Sequence, residues 1–311
     1  MKKKINSILG AFRIKTLPAV LGPIIIALSI SIIESFELNK IILVILIGIS
    51  LQVLVNLIND LEDYKKGVDN LKRLGPARAT QSGDLSIYEM KILISFIFLI
   101  SLLLGILAFF MSGIFVIFFG ILLFILAYTY TGGPSPYGYM GLGEFAVFIV
   151  FGPFTVLGSL YLFDLYPSFE TILISFVPGF SSSLIILVNN IRDIKNDEEN
   201  GKKTIAVKLG DTRSRYLYIF ILYLLILNIC FLVFISQNPI LLLLVILCIV
   251  IFPISDIGFK KSWFILPKYY SKISLQESKL NNTLINTVKA HFIICTIISI
   301  SIIAWEFSPI F

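Results

Sequence analysis

The run Asn56-Leu57-Ile58-Asn59-Asp60-Leu61-Glu62-Asp63-Tyr64 ends a long apolar stretch and decides how the rest of the chain is read. It sets three carboxylates and two amides at the mouth of a segment otherwise rich in Leu, Ile and Val. Ionisable groups at such a place are costly and face a cavity or a partner. Asn56, Asp60 and Asp63 are spaced i, i+4, i+7, so on a helix they share one face. Asn59 flanks that face. Glu62 is rotated about 100° from Asp63 on an ideal helix and is left out of the site. Far downstream, Asn189-Asn190-Ile191-Arg192-Asp193-Ile194-Lys195-Asn196-Asp197 repeats the arrangement, with Asn189, Asp193 and Asp197 at i, i+4, i+8. Acidic oxygens suit hard cations such as magnesium. Two such faces predict that Asp60, Asp63, Asp193 and Asp197 hold a diphosphate through magnesium.

Composition sets the surroundings of that site. Of 311 residues, 57% are hydrophobic and 14% charged, and the mean hydropathy is +0.95. Soluble domains carry about 25% charged residues. The chain therefore reads as an integral membrane protein, and its long apolar segments between polar hinges read as helices and not as a barrel. The formal charge of +6 is spread over several loops, so it reports membrane topology and excludes a folded nucleic-acid-binding domain. Cys230, Cys248 and Cys295 all fall inside apolar segments, with neither disulfide nor metal-ligand spacing. Arg13 and Lys15 interrupt the start, and no cleavage site follows, so the N-terminus reads as the lead into a first span and not as a signal peptide.

Nine segments approach the roughly 20 residues that a crossing needs: 17–35, 41–60, 92–110, 113–131, 143–162, 171–190, 216–235, 239–257 and 288–306. The expectation is an all-α, polytopic membrane helical bundle of about nine helices with cytoplasmic cap loops, one domain over residues 1–311. Lys and Arg gather before the first span and after the second, sixth and eighth, the last group being Lys260, Lys261, Lys268 and Lys272. The intervening loops are short and poor in them. By the positive-inside rule, the N-terminus and both Asp-rich runs lie in the cytoplasm and the C-terminus lies outside.

Magnesium keeps several waters and bridges carboxylates to substrate phosphates, so cations should stand near it. The loop after the first acidic run supplies Lys72, Arg73 and Arg78. The second run and the loop after it supply Arg192, Lys202, Lys203 and Lys208. His291 is the only histidine, and no Ser/His/Asp or Cys/His set can be built on it.

Several motifs together resemble the UbiA superfamily of intramembrane aromatic prenyltransferases. They are Asn59-Asp60-x-x-Asp63 with Gly67-x-Asp69, then Arg73-Leu74-Gly75-Pro76-x-Arg78-x-x-Gln81-x-Gly83, and Tyr128-Thr129-Tyr130-Thr131-Gly132-Gly133-Pro134 with Gly141-Leu142-Gly143-Glu144. Asn189-Asn190-x-Arg192-Asp193-x-x-x-Asp197 with Gly201-Lys202-x-Thr204, and Leu280-Asn281 with Thr287, complete the set. They are most similar to the branch that acts on 1,4-dihydroxy-2-naphthoate in making menaquinone precursors. Arg13-Ile14-Lys15-Thr16-Leu17-Pro18 resembles that branch's opening motif, with Ile14 where the motif has proline. Relatives using 4-hydroxybenzoate carry lysine four residues after a tyrosine; here Tyr128 is followed at that spacing by Gly132, which favours the naphthoate branch.

The resemblance implies magnesium held by Asp60, Asp63, Asp193 and Asp197. It implies a polyprenyl diphosphate and the naphthoate bound among Asn56, Asn59, Asp69, Lys72, Arg73, Arg78, Tyr128, Tyr130, Asn189, Arg192, Lys202 and Lys208. Metals and cations would stabilise the leaving diphosphate, the ring would attack the allylic carbon, and carbon dioxide would be lost. Tyr128, Tyr130 and Phe151 offer aromatic faces to a carbocation-like centre. The enzyme would sit in the lipid bilayer of the cell membrane as a multi-pass protein, its site facing the cytoplasm. Other readings stay open: a prenyltransferase for another aromatic or lipid acceptor, or a cation-coupled secondary transporter.

Overall fold

A computed structural model describes residues 2–70, 75–252, 257 and 277–306. Every regular element among them is helical. Lys72 and Arg73, and the basic group Lys260, Lys261, Lys268 and Lys272, lie outside the described residues.

Helix α1 (Lys2–Phe12) leads through an elbow at Arg13, whose φ is +51°, into α2 (Pro18–Glu34), with an overall bend of 51°. Pro18 opens α2, where a missing N–H leaves nothing unpaired. Then come α3 (Leu38–Lys65), α4 (Ile87–Ser112) and α5 (Phe115–Thr129). Helix α6 (Gly143–Ile149) runs through one π turn containing Pro153 into α7 (Thr155–Leu162). The rest are α8 (Phe169–Glu199), α9 (Ile205–Ser236), α10 (Ile240–Ile251) and α11 (Glu277–Glu306). Side chains fix several starts: Ser86 and Glu89 form a capping box on α4, Ser168 caps α8 and Thr204 caps α9.

Among the described residues, each of the nine expected segments overlaps a helix or a helix pair. By length and composition, six helices are able to cross a membrane, or seven when the bent pair before and including α2 counts as one. The remaining two, α5 and α10, are apolar but have 15 and 12 residues, so nine is an approximate count. Helices α3 and α8 are instead longer than expected. At 28 and 31 residues they reach about 42 and 46 Å, beyond a hydrocarbon core of about 30 Å. Their acid-bearing ends are the overhang.

Helix α8 is the hub. It packs against α9, α11 and α6, and 67% of its apolar stretch is buried, against 6% for α4. Val177, Leu184 and Leu187 of α8 meet Tyr218, Leu222 and Leu225 of α9 and Ile294 and Ile298 of α11. A second cluster sets Leu54, Leu57 and Ile58 of α3 against Met90 and Ile97 of α4. In lipid, helices gain little from excluding water between them, so close packing and polar pins hold them. His291 is one such pin. Its ring is fully buried, 2.7 Å from Ser181 Oγ on α8 and 3.2 Å from the Ala19 carbonyl on α2. Gly22 makes room for it, since a Cβ there would stand 2.6 Å from His291 Nε2.

Candidate active site

Helices α3 and α8 end in the same way. Gly67 takes φ +75°, its N–H donates to the Tyr64 carbonyl, and Val68 N–H returns to the Asp63 carbonyl at 2.9 Å. Gly201 takes φ +73°, its N–H donates to the Glu198 carbonyl, and Lys202 N–H returns to the Asp197 carbonyl at 2.8 Å. Both are Schellman caps, for which glycine supplies the left-handed residue. Asp63 and Asp197 therefore hold the same position in the two caps. That position is the negative end of the helix macrodipole, where carboxylates are disfavoured unless cations offset them.

The two ends meet. Asn196 Nδ2 on α8 donates to the Val68 carbonyl at 2.8 Å, and Lys202 Nζ lies 3.4 Å from Asp63 Oδ2. Burial disfavours charge on Lys202, but the fields of Asp63, Asp197, Asp69 and Asp193 outweigh it and hold the ammonium above the usual lysine range. Carboxylates from both helix ends thus act on the charge of one cation.

The first end is held lightly. Asp60 is 1% exposed, and its Oδ1 has no hydrogen-bond partner among the described residues. Asp63 Oδ1 accepts from the Tyr139 hydroxyl at 2.6 Å. Burial and then Asp63 push the Tyr139 phenol far above its ordinary range, so it stays a donor. The Tyr139 ring lies under two ammonium groups, Lys66 at 4.9 Å and Lys202 at 5.1 Å from its centroid. Asp69 is buried, with Arg78 Nε 3.5 Å from its carboxylate. Asn59 Oδ1 accepts from Thr131 Oγ1 at 2.7 Å. Asn56 shares the helical face of Asp60, but its amide donates to the Phe12 carbonyl at 3.1 Å and to Thr16 Oγ1 at 3.3 Å. It anchors the N-terminal elbow above the site. Glu62 turns away and pairs with Lys65 at 2.6 Å.

The second end is clamped. Arg192 Nε and Nη2 donate to the two oxygens of Asp193 at 2.8 and 2.6 Å. The same guanidinium donates to Asn189 Oδ1 at 2.7 Å and to Asn281 Oδ1 of α11 at 3.0 Å. Arg192 therefore spends its donors on its neighbours.

A loop from α5 to α6 covers the junction. Lys66 donates to the Thr131 and Gly133 carbonyls, Lys203 N–H to the Tyr139 carbonyl at 3.1 Å, and Lys208 Nζ to the Met140 carbonyl at 2.6 Å. Lys208 thus holds the loop. Tyr130 is half-buried and meets Tyr137 edge-on at 5.4 Å, while Tyr128 is 42% exposed on α5. Sequence reasoning missed Tyr139, Lys66, Asn196 and the partnership of Glu144 with Asn190, whose Nδ2 donates to Glu144 Oε1 at 2.9 Å. Tyr139 carries no motif of its own. Only its place between Gly138 and Gly141, in a loop bound to both basic stretches, sets it apart.

No three His, Cys, Asp or Glu side chains among the described residues stand close enough to cage a metal. The arrangement is two acidic helix ends that meet, with Lys202 paired to Asp63 between them.

Known proteins resemble this chain in sequence and fold. The UbiA prenyltransferase family matches residues 20–262. The 1,4-dihydroxy-2-naphthoate octaprenyltransferase of Haemophilus influenzae is 37% identical over 235 residues, 69% of this chain and 74% of that one. The Escherichia coli protein of the same description is 37% identical over 219 residues, 67% of this chain and 70% of that one. Among solved structures, a UbiA homolog from Archaeoglobus fulgidus bound to GPP and Mg2+ aligns with TM-score 0.63 at 14% identity, over 93% of this chain and 99% of that one. The apo UbiA homolog from Aeropyrum pernix aligns with TM-score 0.65 at 17% identity, over 94% and 98%.

Proposed function

The chain belongs to the UbiA prenyltransferase family, and on that premise we propose that it transfers a polyprenyl group from an isoprenyl diphosphate to 1,4-dihydroxy-2-naphthoate, with loss of carbon dioxide, giving demethylmenaquinol. The observation that carries this reading is the meeting of the two acidic helix ends, with Lys202 Nζ 3.4 Å from Asp63 Oδ2 and Asn196 of α8 bonded to the Val68 carbonyl, beside a buried Asp60 oxygen with no hydrogen bond among the described residues. All the donors are hard oxygens. Magnesium is held by one or two carboxylates plus substrate phosphates, and not by an all-protein cage, so two acidic pairs fit it. Asp60 with Asp63, and Asp193 with Asp197, would hold it, as suits a family whose Archaeoglobus fulgidus member was solved with Mg2+ and GPP. When bound, magnesium would offset the negative charge that builds on the leaving diphosphate.

The chain's own groups do the rest. Lys202, Lys66 and Arg78 would set positive charge around the diphosphate. Arg192 holds Asp193 in one orientation through two parallel bonds. Apolar helices wall the site, so the allylic carbon meets the ring and not water. Tyr130 presents an aromatic face over the junction. Basic residues gather at this end of the helices, which supports a multi-pass protein of the cell membrane with its site in the cytoplasm.

Membranes carrying the protein, supplied with the naphthoate, a polyprenyl diphosphate and magnesium, should form prenylated naphthol and release carbon dioxide. If no product forms, or if Asp60→Ala and Asp193→Ala turn over at the parent's rate, the reading is wrong.

A further inference from the structure

Glu144 is a buried carboxylate that the diphosphate site does not use. It is the second residue of α6 and is 6% exposed. Helix α8 fixes it twice: Asn190 Nδ2 donates to Oε1 at 2.9 Å, and Ser183 Oγ donates to the Glu144 main-chain carbonyl at 2.8 Å. Its other oxygen, Oε2, is buried with no hydrogen-bond partner among the described residues. A buried acceptor left unmade is costly, and proteins retain one where a ligand completes it.

Its place is telling. Asn190 precedes Asp193 and Asp197 by three and seven residues on one face of α8, so Glu144 lies about one helical turn deeper in the bundle than the aspartates. Tyr130 packs against the start of α6. A Cβ on Gly143 would stand 3.6 Å from its ring edge and hydroxyl, and Glu144, Asp63 and Asp197 all act on that hydroxyl. A ring placed below the diphosphate, against Tyr130, would meet Glu144.

We propose that Glu144 is a catalytic residue of the transfer: Oε2 accepts the proton of the acceptor's ring hydroxyl. This rests on the naphthoate reading. As the O–H pair moves into the ring, a ring carbon bonds to the allylic carbon. The allylic C–O bond breaks, and its pair leaves with the diphosphate. The carboxylate then departs as carbon dioxide, its bonding pair restores the aromatic ring, and Glu144 returns the proton to the oxygen. No oxidant or outside proton is needed.

The test is Glu144→Gln, which keeps an oxygen for Asn190 and removes the base. Turnover should fall about 100-fold, within the range of one positioned base, with KM for the prenyl diphosphate within about twofold. Calorimetric binding of a non-hydrolysable thio-diphosphate should match the parent. The gap to the parent should narrow as pH rises, because the hydroxyl then ionises unaided. Glu144→Asp, which keeps a titratable oxygen, should retain the parent's pH dependence at a lower rate. The proposal is overturned if E144Q keeps at least a third of the parent rate. It is equally overturned if the loss is constant with pH and comes with weakened thio-diphosphate binding, the signature of a structural role, or if E144D loses the pH dependence. A parent that binds the thio-diphosphate yet never prenylates the naphthoate overturns the acceptor reading itself, and this inference with it.

Discussion

The caps at Lys66–Gly67–Val68 and at Asn200–Gly201–Lys202 make the same hydrogen bonds, yet the carboxylates they carry live differently. Asp193 accepts two bonds from Arg192, a residue 3% exposed, while Asp60 leaves one buried oxygen with none among the described residues. Asp63 has a phenol at 2.6 Å and an ammonium only at 3.4 Å. One end has its counter-ion bonded in place through two parallel bonds; at the other, Asp60 lies in the field of Arg13 and Asp63 has Lys202 at 3.4 Å. Equivalent backbones therefore do not make equivalent halves of the site. The first end should take up the cation, and the second should hold shape.

The largest effect expected from this contrast is at Asp60. Asp60→Asn should cut prenyl transfer about 10³-fold, the scale of losing a preorganised charge-stabilising group. It should lower the melting temperature in detergent less than Asp193→Asn does, because Asp60 leaves one buried oxygen without a hydrogen bond among the described residues. Asp193→Asn should lower both activity and melting temperature, because Arg192 loses its partner. Equal thermal loss in the two variants would break the contrast.

Arg192→Met attacks the same contrast from the cation's side. Removing one partner of a buried pair leaves the other uncompensated and costs about 3–5 kcal/mol. The unfolding midpoint in denaturant should fall accordingly, and adding Asp193→Asn should recover part of it. A double variant no better than Arg192→Met alone would mean that Asn189 and Asn281, and not Asp193, hold the guanidinium.

A smaller effect is expected at Tyr139. Tyr139→Phe loses the bond to Asp63 but keeps the ring beneath Lys66 and Lys202. A hydrogen bond to a charged group is worth about 1.5–3 kcal/mol, so turnover should drop about tenfold or somewhat more. Tyr139→Leu removes the ring as well and should drop further. Equal losses in Phe and Leu would show that the hydroxyl alone matters.

The sequence makes the helices legible because their apolar runs are long, and it makes the acidic pairs legible because helical spacing gathers Asp60 with Asp63 and Asp193 with Asp197. It also separates Glu62 from that face. It does not show how far α3 and α8 run past their apolar parts, since Glu62–Lys65 and Asp193–Glu199 mix good helix formers (Glu, Lys) with weak ones (Asp, Asn). The shortness of α5 and α10 is hidden because their apolar runs do not mark where each helix starts and stops. Asn56 reads as a site residue from spacing alone, whereas an elbow 40 and more residues away claims its amide. Tyr139 meets Asp63 across 76 positions and Asn190 meets Glu144 across 46. No local pattern encodes such pairs; the crossing of the helices does.

The smallest effect is expected at Glu62, and it bears most directly on which carboxylates form the first end. Glu62 lies between Asp60 and Asp63 in sequence, is acidic, and would complete a three-carboxylate cluster if it faced them. Its carboxylate instead reaches back along the helix surface to Lys65 at 2.6 Å. Such i,i+3 pairs near the surface contribute about 0.2–0.5 kcal/mol. Glu62 also supports the charge of Lys66, whose ammonium burial holds below the usual lysine range, and Lys66 binds the loop over the junction. Glu62→Gln weakens that support without removing a contact to the diphosphate site. Turnover should therefore stay within about twofold of the parent, with magnesium dependence unchanged, and Lys65→Ala should behave alike. A tenfold loss in Glu62→Gln together with a raised magnesium requirement would put Glu62 among the metal ligands. The first end would then carry three carboxylates against two at the second, and the contrast would rest on the number of acids and not on Arg192.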